Sequence, residues 1–241
     1  MTAWPPGIGL LRLDEVDSTN IQAHRLAEAG EPGPLWISAT HQTAGYGRRG
    51  RAWDSGSGNL AATLLFQPGE SAASVAQLSF AAALAVADLA LHFAPQAAIT
   101  VKWPNDVLAN GAKFSGILLE AGPGGIWLAI GIGINLATHP AETEFPATSL
   151  AALGIASPTP DAALTVLAAR FSHWLSLWQA QGFEPLRSAW LARAGALGSP
   201  IRARLPHEER HGAFEGIDAS GALLLRDASG LRAITVGEVF F

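Results

Sequence analysis

The chain of 241 residues contains no cysteine, which excludes a disulfide framework, a thiolate metal site and a cysteine nucleophile. Charge is also scarce, at 15% of residues against 49% hydrophobic, and the net charge is −5. A core is therefore easy to build, whereas a nucleic-acid coat or a polybasic membrane anchor is not expected. The seven histidines are scattered without metal-ligand spacing. No Walker loop, Gly-x-Ser-x-Gly, kinase or Rossmann signature is present. The longest near-apolar stretch, 81–93, carries Asp88 and His92 and falls short of a membrane span. Residues 1–9 hold prolines and no basic region, so they do not read as a signal peptide. Cytoplasmic residence is the default expectation.

Scarcity also marks individual positions. Thirteen arginines stand against two lysines, Lys102 and Lys113, and Tyr46 is the single tyrosine. Asparagine occurs five times, at 20, 59, 105, 110 and 135. Where arginine supplies generic positive charge, a retained lysine points to a need for a slim ammonium with three rotatable donors. Two such survivors are also compatible with chance.

Along the chain, residues 10–16 read as a strand, and Ser18 or Thr19 caps a helix over 20–29. Residues 35–40 form a strand, 41–58 a glycine-rich loop and 59–66 a further strand. An apolar stripe at helical spacing over 74–93 predicts the principal helix. Strands follow at 99–103, 114–121 and 126–134, then helices at 159–181 and 184–194. Trp174 and Trp178, four apart, form a core stripe. Beyond 195 the texture changes to short strands at 201–205, 212–217, 222–226 and 232–236, which read as a small docked β-barrel. The expectation is an α+β fold, a mixed sheet backed by helices, divided into units 1–194 and 195–241.

Five segments carry chemistry. In 41–53 the glycines at 45, 47 and 50 interleave with Arg48, Arg49 and Arg51 and no acid, an anion-binding loop or a solvated arginine loop. Val101-Lys102-Trp103-Pro104-Asn105-Asp106 is either an ordinary turn or a phosphate-facing lysine with a carboxylate for Mg²⁺ or a proton. Lys113 opens an apolar strand in which Gly116 leaves room for a ligand; a strand-edge lysine is also commonly just solubilising. Gly131 and Gly133 would weaken the strand that ends at Asn135 unless something packs closely there. Asp17-Ser18-Thr19-Asn20 reads as a helix cap, although helix N-termini also receive polar ligand groups.

The joint order of these strings resembles the biotin–protein ligase family over residues 10–240: Asp-Ser-Thr-Asn, Gln-x-Ala-Gly-x-Gly-Arg-Arg-Gly-Arg-x-Trp, Lys-Trp-Pro-Asn-Asp, Lys-x-x-Gly-Ile-Leu-x-Glu and Gly-Ile-Gly-Ile-Asn. The resemblance implies a class II synthetase-like catalytic domain and a small C-terminal SH3-like β-barrel. It also implies a two-step reaction in which biotin and Mg-ATP give biotinyl-AMP, and biotin then passes to a lysine of a biotin carboxyl carrier protein. By position, Ser18, Thr19, Asn20, Gln42, Gly45, Tyr46, Gly47, Arg48, Lys113 and Gly116 match the biotin site. Arg49, Arg51, Trp53, Lys102, Asn105, Asp106 and Asn135 match the handling of ATP, metal or the phosphoryl group. Arg48, Lys102, Asp106 and Lys113 are the implied catalytic set, with Asp106 as the Mg²⁺ ligand. Tyr46 stands where well-known bacterial members carry arginine, and Ala147 falls near an expected aromatic platform for adenine. The motifs begin within twenty residues of Met1, so no helix-turn-helix repressor domain is expected. Neither nucleic acid nor membrane is an expected partner, and the assembly is a monomer or homodimer. The nearest alternative is a lipoate or octanoate ligase or transferase of related fold; a non-catalytic biotin-binding protein or a nucleic-acid module stands further off.

Overall fold

Two separate sheets, joined through helices, make up the computed structural model, which describes residues 2–69 and 72–241. Met1, the first residue of the expected 1–194 unit, lies outside the described residues. The larger sheet draws on β1 (Gly9–Val16), β2 (Leu35–Gln42), β3 (Leu60–Phe66), β4 (Ile99–Lys102), β5 (Asp106–Ala109), β6 (Ala112–Ala121) and β7 (Leu128–Ile134). Its order is β1-β2-β3-β7-β6-β5-β4. The β1–β2 pair is parallel, with helix α1 (Thr19–Glu28) as the crossover, and the other pairs are antiparallel. The mixed sheet expected from the sequence is thus present.

The strict alternation Ala129-Ile130-Gly131-Ile132-Gly133-Ile134 decides what each face of β7 does. Ile130, Ile132 and Ile134 enter the main core, whereas Ala129 joins the small cluster under α1 with Ala23, Ile37 and Leu65. Gly131 and Gly133 share that second face, where α1 covers only part of the sheet, and so leave a floor without side chains. Gly116 of β6 pairs with Gly133 and widens it.

The opposite face is covered by α3 (Leu78–Phe93), α4 (Pro160–Gln181) and α5 (Glu184–Leu191). The single helix expected over 74–93 is broken: α2 (Ala72–Ala76) precedes α3, and Gln77 stands between them, where its Oε1 accepts from Trp178 Nε1 at 2.9 Å. The segment Ser74–Phe93 is longer than the 81–93 stretch read from the sequence, and is long and apolar enough to cross a membrane by length and composition alone. Here it is packed between sheet and helices, with Leu78, Leu84, Leu89 and a row of alanines fully buried, as a helix apolar on every side must be. Its one acid, Asp88, is satisfied by Trp174 Nε1 at 2.9 Å and Arg193 Nη2 at 3.0 Å.

The second sheet holds β8 (Pro200–Arg204), β9 (Glu209–Ile217), β10 (Leu223–Asp227), β11 (Gly230–Ile234) and β12 (Glu238–Phe240), in the order β11-β10-β9-β8-β12. The expected SH3-like barrel is not formed, because β11 and β12 stand at opposite ends of an open sheet. The physical reason lies in β12, which has three residues, pairs with β8 alone and turns toward the larger sheet. There Glu238 meets Arg51 and the Gly237 carbonyl accepts from Arg48 Nη1 at 3.2 Å. Two further bonds, Trp103 Nε1 to the Gly221 carbonyl at 3.1 Å and Gly195 N to the Val101 carbonyl at 2.9 Å, fix this sheet against the first.

Candidate functional site

The glycine floor opens into a cavity of about 460 Å³, bounded by α1, the 43–53 loop, the β4–β5 hairpin, β6, β7 and β12. Its volume lies in the range of small-molecule sites.

One end of the cavity is neutral and polar. Ser18 occupies the N-cap position of α1 without a side-chain cap bond, and Gln42 Oε1 accepts from the Thr19 amide at 2.8 Å. Gln42 Nε2 in turn donates to Ser55 Oγ at 2.8 Å. The Thr63 hydroxyl lies 2.8 Å from Thr19 Oγ1 and 2.7 Å from Asn20 Oδ1, and Asn20 Nδ2 donates to Glu120 at 2.7 Å. Ser18, Thr19, Asn20 and Thr63 are buried. Such a satisfied network holds donors and acceptors in fixed directions, which suits a neutral, hydrogen-bonding ligand. The Tyr46 hydroxyl donates to the same Glu120 oxygen at 2.8 Å. Burial, and after it Glu120, pushes the phenol far up, so Tyr46 keeps its proton.

The floor needs its glycines. A Cβ on Gly131 would lie 2.2 Å from Asn20 Oδ1, and one on Gly133 would lie 2.3 Å from the Trp53 indole. The same indole is 3.0 Å from a Cβ built on Gly116, so Trp53 lies flat across the β6–β7 pair.

The other end is cationic. Pro104 stops β4, and the hairpin that follows sets Lys102 opposite Asp106 in register. Lys113 Nζ lies 2.7 Å from Asp106 Oδ1 and Lys102 Nζ 3.7 Å from Oδ2. Lys102 is only 6% exposed; its ammonium faces the Phe145 ring at 3.7 Å to the centroid and the Phe240 ring at 5.4 Å. Burial lowers its pKa most, opposed by Asp106 and reinforced by Lys113. Arg48 Nη1 meets the neutral acceptors Asn105 Oδ1 at 3.4 Å and the Gly237 carbonyl at 3.2 Å, and burial lowers its pKa too. These two cations are half- or fully buried with incomplete compensation, which favours an entering anion.

Arg48, Lys102 and Lys113, far apart in sequence, therefore face one hollow, together with Ser18, Thr19, Asn20, Gln42, Tyr46, Gly47, Arg51, Trp53, Asn105, Asp106, Gly116 and Asn135. Two expected residues are not in its wall. Gly45 closes the loop's base, its carbonyl accepting from Trp53 N at 2.9 Å. Arg49 sits exposed at the loop tip with φ +58°. Trp53, expected near ATP, lies on the sheet floor over Gly116 and Gly133, with Lys113 Nζ 5.7 Å from its ring centroid.

Several lining or supporting residues were not singled out by sequence reasoning. Asn59 Oδ1 accepts from the amides of Leu136, Ala137 and Thr138 at 2.9, 2.9 and 3.1 Å and so shapes the turn after β7. Its signal was the rarity of asparagine. Phe145 lies two residues before Ala147, where an aromatic was expected, and pairs edge-on with Phe241. Glu238 and Phe240, from the C-terminal sheet, carried no motif. Among the described residues no group of three or more His, Asp or Glu is placed to hold a metal ion.

Residues 13–136 match the biotin/lipoate A/B protein ligase family and residues 196–241 the biotin protein ligase C-terminal domain. The chain is 47% identical over 238 residues to the biotin–[acetyl-CoA-carboxylase] ligase of Paracoccus denitrificans, covering 95% of this chain and 99% of that protein. A biotin protein ligase from Aquifex aeolicus in complex with biotin and ATP superposes with a TM-score of 0.84 at 29% identity, over 96% of this chain and 97% of that one. The biotin protein ligase of Leishmania major in complex with biotinyl-5-AMP gives 0.62 at 26%, over 96% and 100%.

Proposed function

The chain belongs to the biotin/lipoate A/B protein ligase family, and we infer from that membership and from the site that it is an ATP-dependent biotin–protein ligase. It activates biotin to biotinyl-5′-AMP with release of pyrophosphate, then transfers the biotinyl group to a lysine of a biotin carboxyl carrier protein. The observation that carries the reading is the pairing of a neutral hydrogen-bonding end with a cationic end in one cavity. Biotin has a neutral ureido ring at one end and a carboxylate at the other, and ATP adds a triphosphate beside that carboxylate.

In the first step a carboxylate oxygen attacks the α-phosphorus while the bond to the β-phosphate breaks and pyrophosphate leaves. The two reactants repel, by several kcal/mol at a few ångström in a partly desolvated site. Arg48, Lys102 and Lys113 offset that repulsion and stabilise charge on the phosphoryl oxygens. The carboxylate is already ionised at neutral pH, so no base is needed. Asn20, Thr19, Ser18 and Gln42 hold the ureido ring, and Trp53 lies against the apolar part of biotin. Arg51, Asn105 and Asn135 serve the nucleotide. Mg²⁺ enters as Mg-ATP: a single carboxylate, Asp106, suits an ion that keeps its phosphates and waters as ligands. In the second step the carrier amine attacks the acyl carbon, AMP leaves, and a proton must be removed. Asp106 is the proposed acceptor once phosphate has drawn Lys113 away from its carboxylate.

Residues 1–194 form the catalytic unit and 195–241 a second unit that completes the cavity wall through β12, and the cell compartment we assign is the cytoplasm. Incubation with biotin, Mg-ATP and a biotin carboxyl carrier domain should give one covalent biotinyl adduct by mass. Pyrophosphate exchange driven by lipoate or octanoate in preference to biotin would overturn the choice of acid.

A further inference from the structure

Glu120, near the end of β6, has no part in the reaction as described, yet a single oxygen of it joins two walls of the cavity. Its Oε2 receives Asn20 Nδ2 at 2.7 Å and the Tyr46 hydroxyl at 2.8 Å, with His24 Nε2 at 3.4 Å. Asn20 belongs to α1 and Tyr46 to the loop. The Asn20 amide lies between Glu120 at its nitrogen and Thr63 at its oxygen, and flipping it would set its oxygen against a carboxylate that can only accept, whereas the Thr63 hydroxyl can bond either end; Glu120 therefore decides the orientation.

The loop is braced internally. Tyr46 bridges Ala52 in antiparallel fashion, and Gly47 N donates to the Arg51 carbonyl at 2.8 Å. A piece so braced is positioned by a few side-chain anchors. On the side of the C-terminal sheet these are Arg51 to Glu238 and Arg48 to the Gly237 carbonyl. Both arginines are groups that the proposed reaction turns toward phosphate. When they turn, the side-chain hydrogen bond left to the loop among the described residues is Tyr46 on Glu120, beside the packing of Trp53 on the floor, and it consumes no cation.

We propose that Glu120 is the positioning residue of the site: it fixes the Asn20 amide for the ligand and, through Tyr46, keeps the loop shut while the arginines are engaged with phosphate. The inference rests on the biotin–ATP reading above. Its test compares the full-length protein with its Tyr46→Phe, Glu120→Gln and Glu120→Ala variants. The readouts are release of biotinyl adenylate, KM for biotin, and tryptic cleavage after Arg48 and Arg51 in ligand-free protein at high salt, which weakens the Arg51–Glu238 pair.

Tyr46→Phe should fold normally, release adenylate about tenfold faster, as loss of a hydrogen bond to a charged group implies, and be cut faster in the loop. Glu120→Ala should do the same and also raise KM for biotin. Glu120→Gln, whose amide oxygen still accepts from both partners, should stay close to the parent protein. Parental adenylate release by Tyr46→Phe overturns the proposal, as does Glu120→Gln behaving like Glu120→Ala. If the parent protein makes no biotinyl adenylate, the biotin–ATP reading fails instead, and the cleavage comparison still decides whether Tyr46 holds the loop.

Discussion

Replacing Lys102 by methionine should leave the protein as stable as before, or more so, while removing most of its activity. The ammonium is 6% exposed, and its carboxylate neighbour Asp106 lies 3.7 Å away with its other oxygen already held by Lys113 at 2.7 Å. At an effective dielectric of about 20 the attraction over such a distance is roughly 4 kcal/mol, offset by a desolvation penalty of several kcal/mol for the buried ion. The sum is near zero. Methionine keeps the stem and the contact with Phe145 and escapes the penalty, so about 0 to 2 kcal/mol of stabilisation is expected. For a chain of this size that is a rise of up to roughly 8 °C in Tm. Because burial holds the folded pKa of Lys102 below 10.5, the unfolded chain binds more protons between the folded value and 10.5. Stability of the parent protein should therefore rise with pH through that window by a component that the variant lacks. Biotin-dependent ATP–pyrophosphate exchange should fall about 100-fold or more, the scale of losing one preorganised group on a developing oxyanion. Thermal melts without ligands and the exchange assay together decide it. A fall in Tm of several degrees would mean that the ammonium holds the fold together, and exchange near the parental rate would remove Lys102 from the chemistry.

Gly133→Ala sets a methyl 2.3 Å from the Trp53 indole, so the ring must leave the floor at about 1–3 kcal/mol of stability; KM for biotin should rise at least about tenfold, and an unchanged KM would show that the ring's position is immaterial. Asn59→Ala strips three amides after β7 of their acceptor and should cost about 2 kcal/mol or more, read as a lower urea midpoint; Asn59→Asp, which keeps the oxygen, should cost less. Asp17 is held below its ordinary 3.8 first by its hydrogen bond from Arg25. Its contribution is present above that value and is lost as pH falls through the folded pKa, so Asp17→Asn should narrow the stability gap between neutral pH and about pH 3; a gap of parental size would contradict the assignment.

Strands and helices were legible wherever periodicity was strong, and the misses have local causes. β5 went unseen because Asp106–Ala109 is only four residues of a hairpin that reads as a turn in sequence. The break at Gln77 left no trace because both flanking segments are helical and apolar. The barrel was expected from a run of short strands with turns, a pattern that specifies neighbours along the chain but not whether the two ends of a sheet meet. Here closure is pre-empted, since β12 makes its contacts with the cavity through Glu238 and Phe240. The same limit hid the contribution of the C-terminal sheet to the site, because no local pattern records which distant loop a short strand will touch. Glu120 was hidden differently: its role depends on one oxygen shared by two partners 26 residues apart in sequence.

The clue that reached furthest was compositional. Of fifteen lysines and arginines only two are lysine, and both line one cavity, on either side of the Asp106 carboxylate. The geometry says why arginine would not serve there. Lys102 is threaded between Asp106 and the Phe145 ring at almost full burial, and a planar guanidinium would bring five donors into a space that offers one carboxylate. Lys113 Nζ lies 3.5 Å from a Cβ built on Gly116, close above the floor that the glycines keep open, where a broader head group would compete with Trp53. Around the cavity, Arg48 and Arg51 stand on the loop and Arg204 on β8, and they reach the Gly237 carbonyl, Glu238 and Glu144. A broad guanidinium suits a group that must swing between partners, and a narrow ammonium suits a slot whose walls are already full. The retention of lysine at 102 and 113 thus follows from volume as much as from charge.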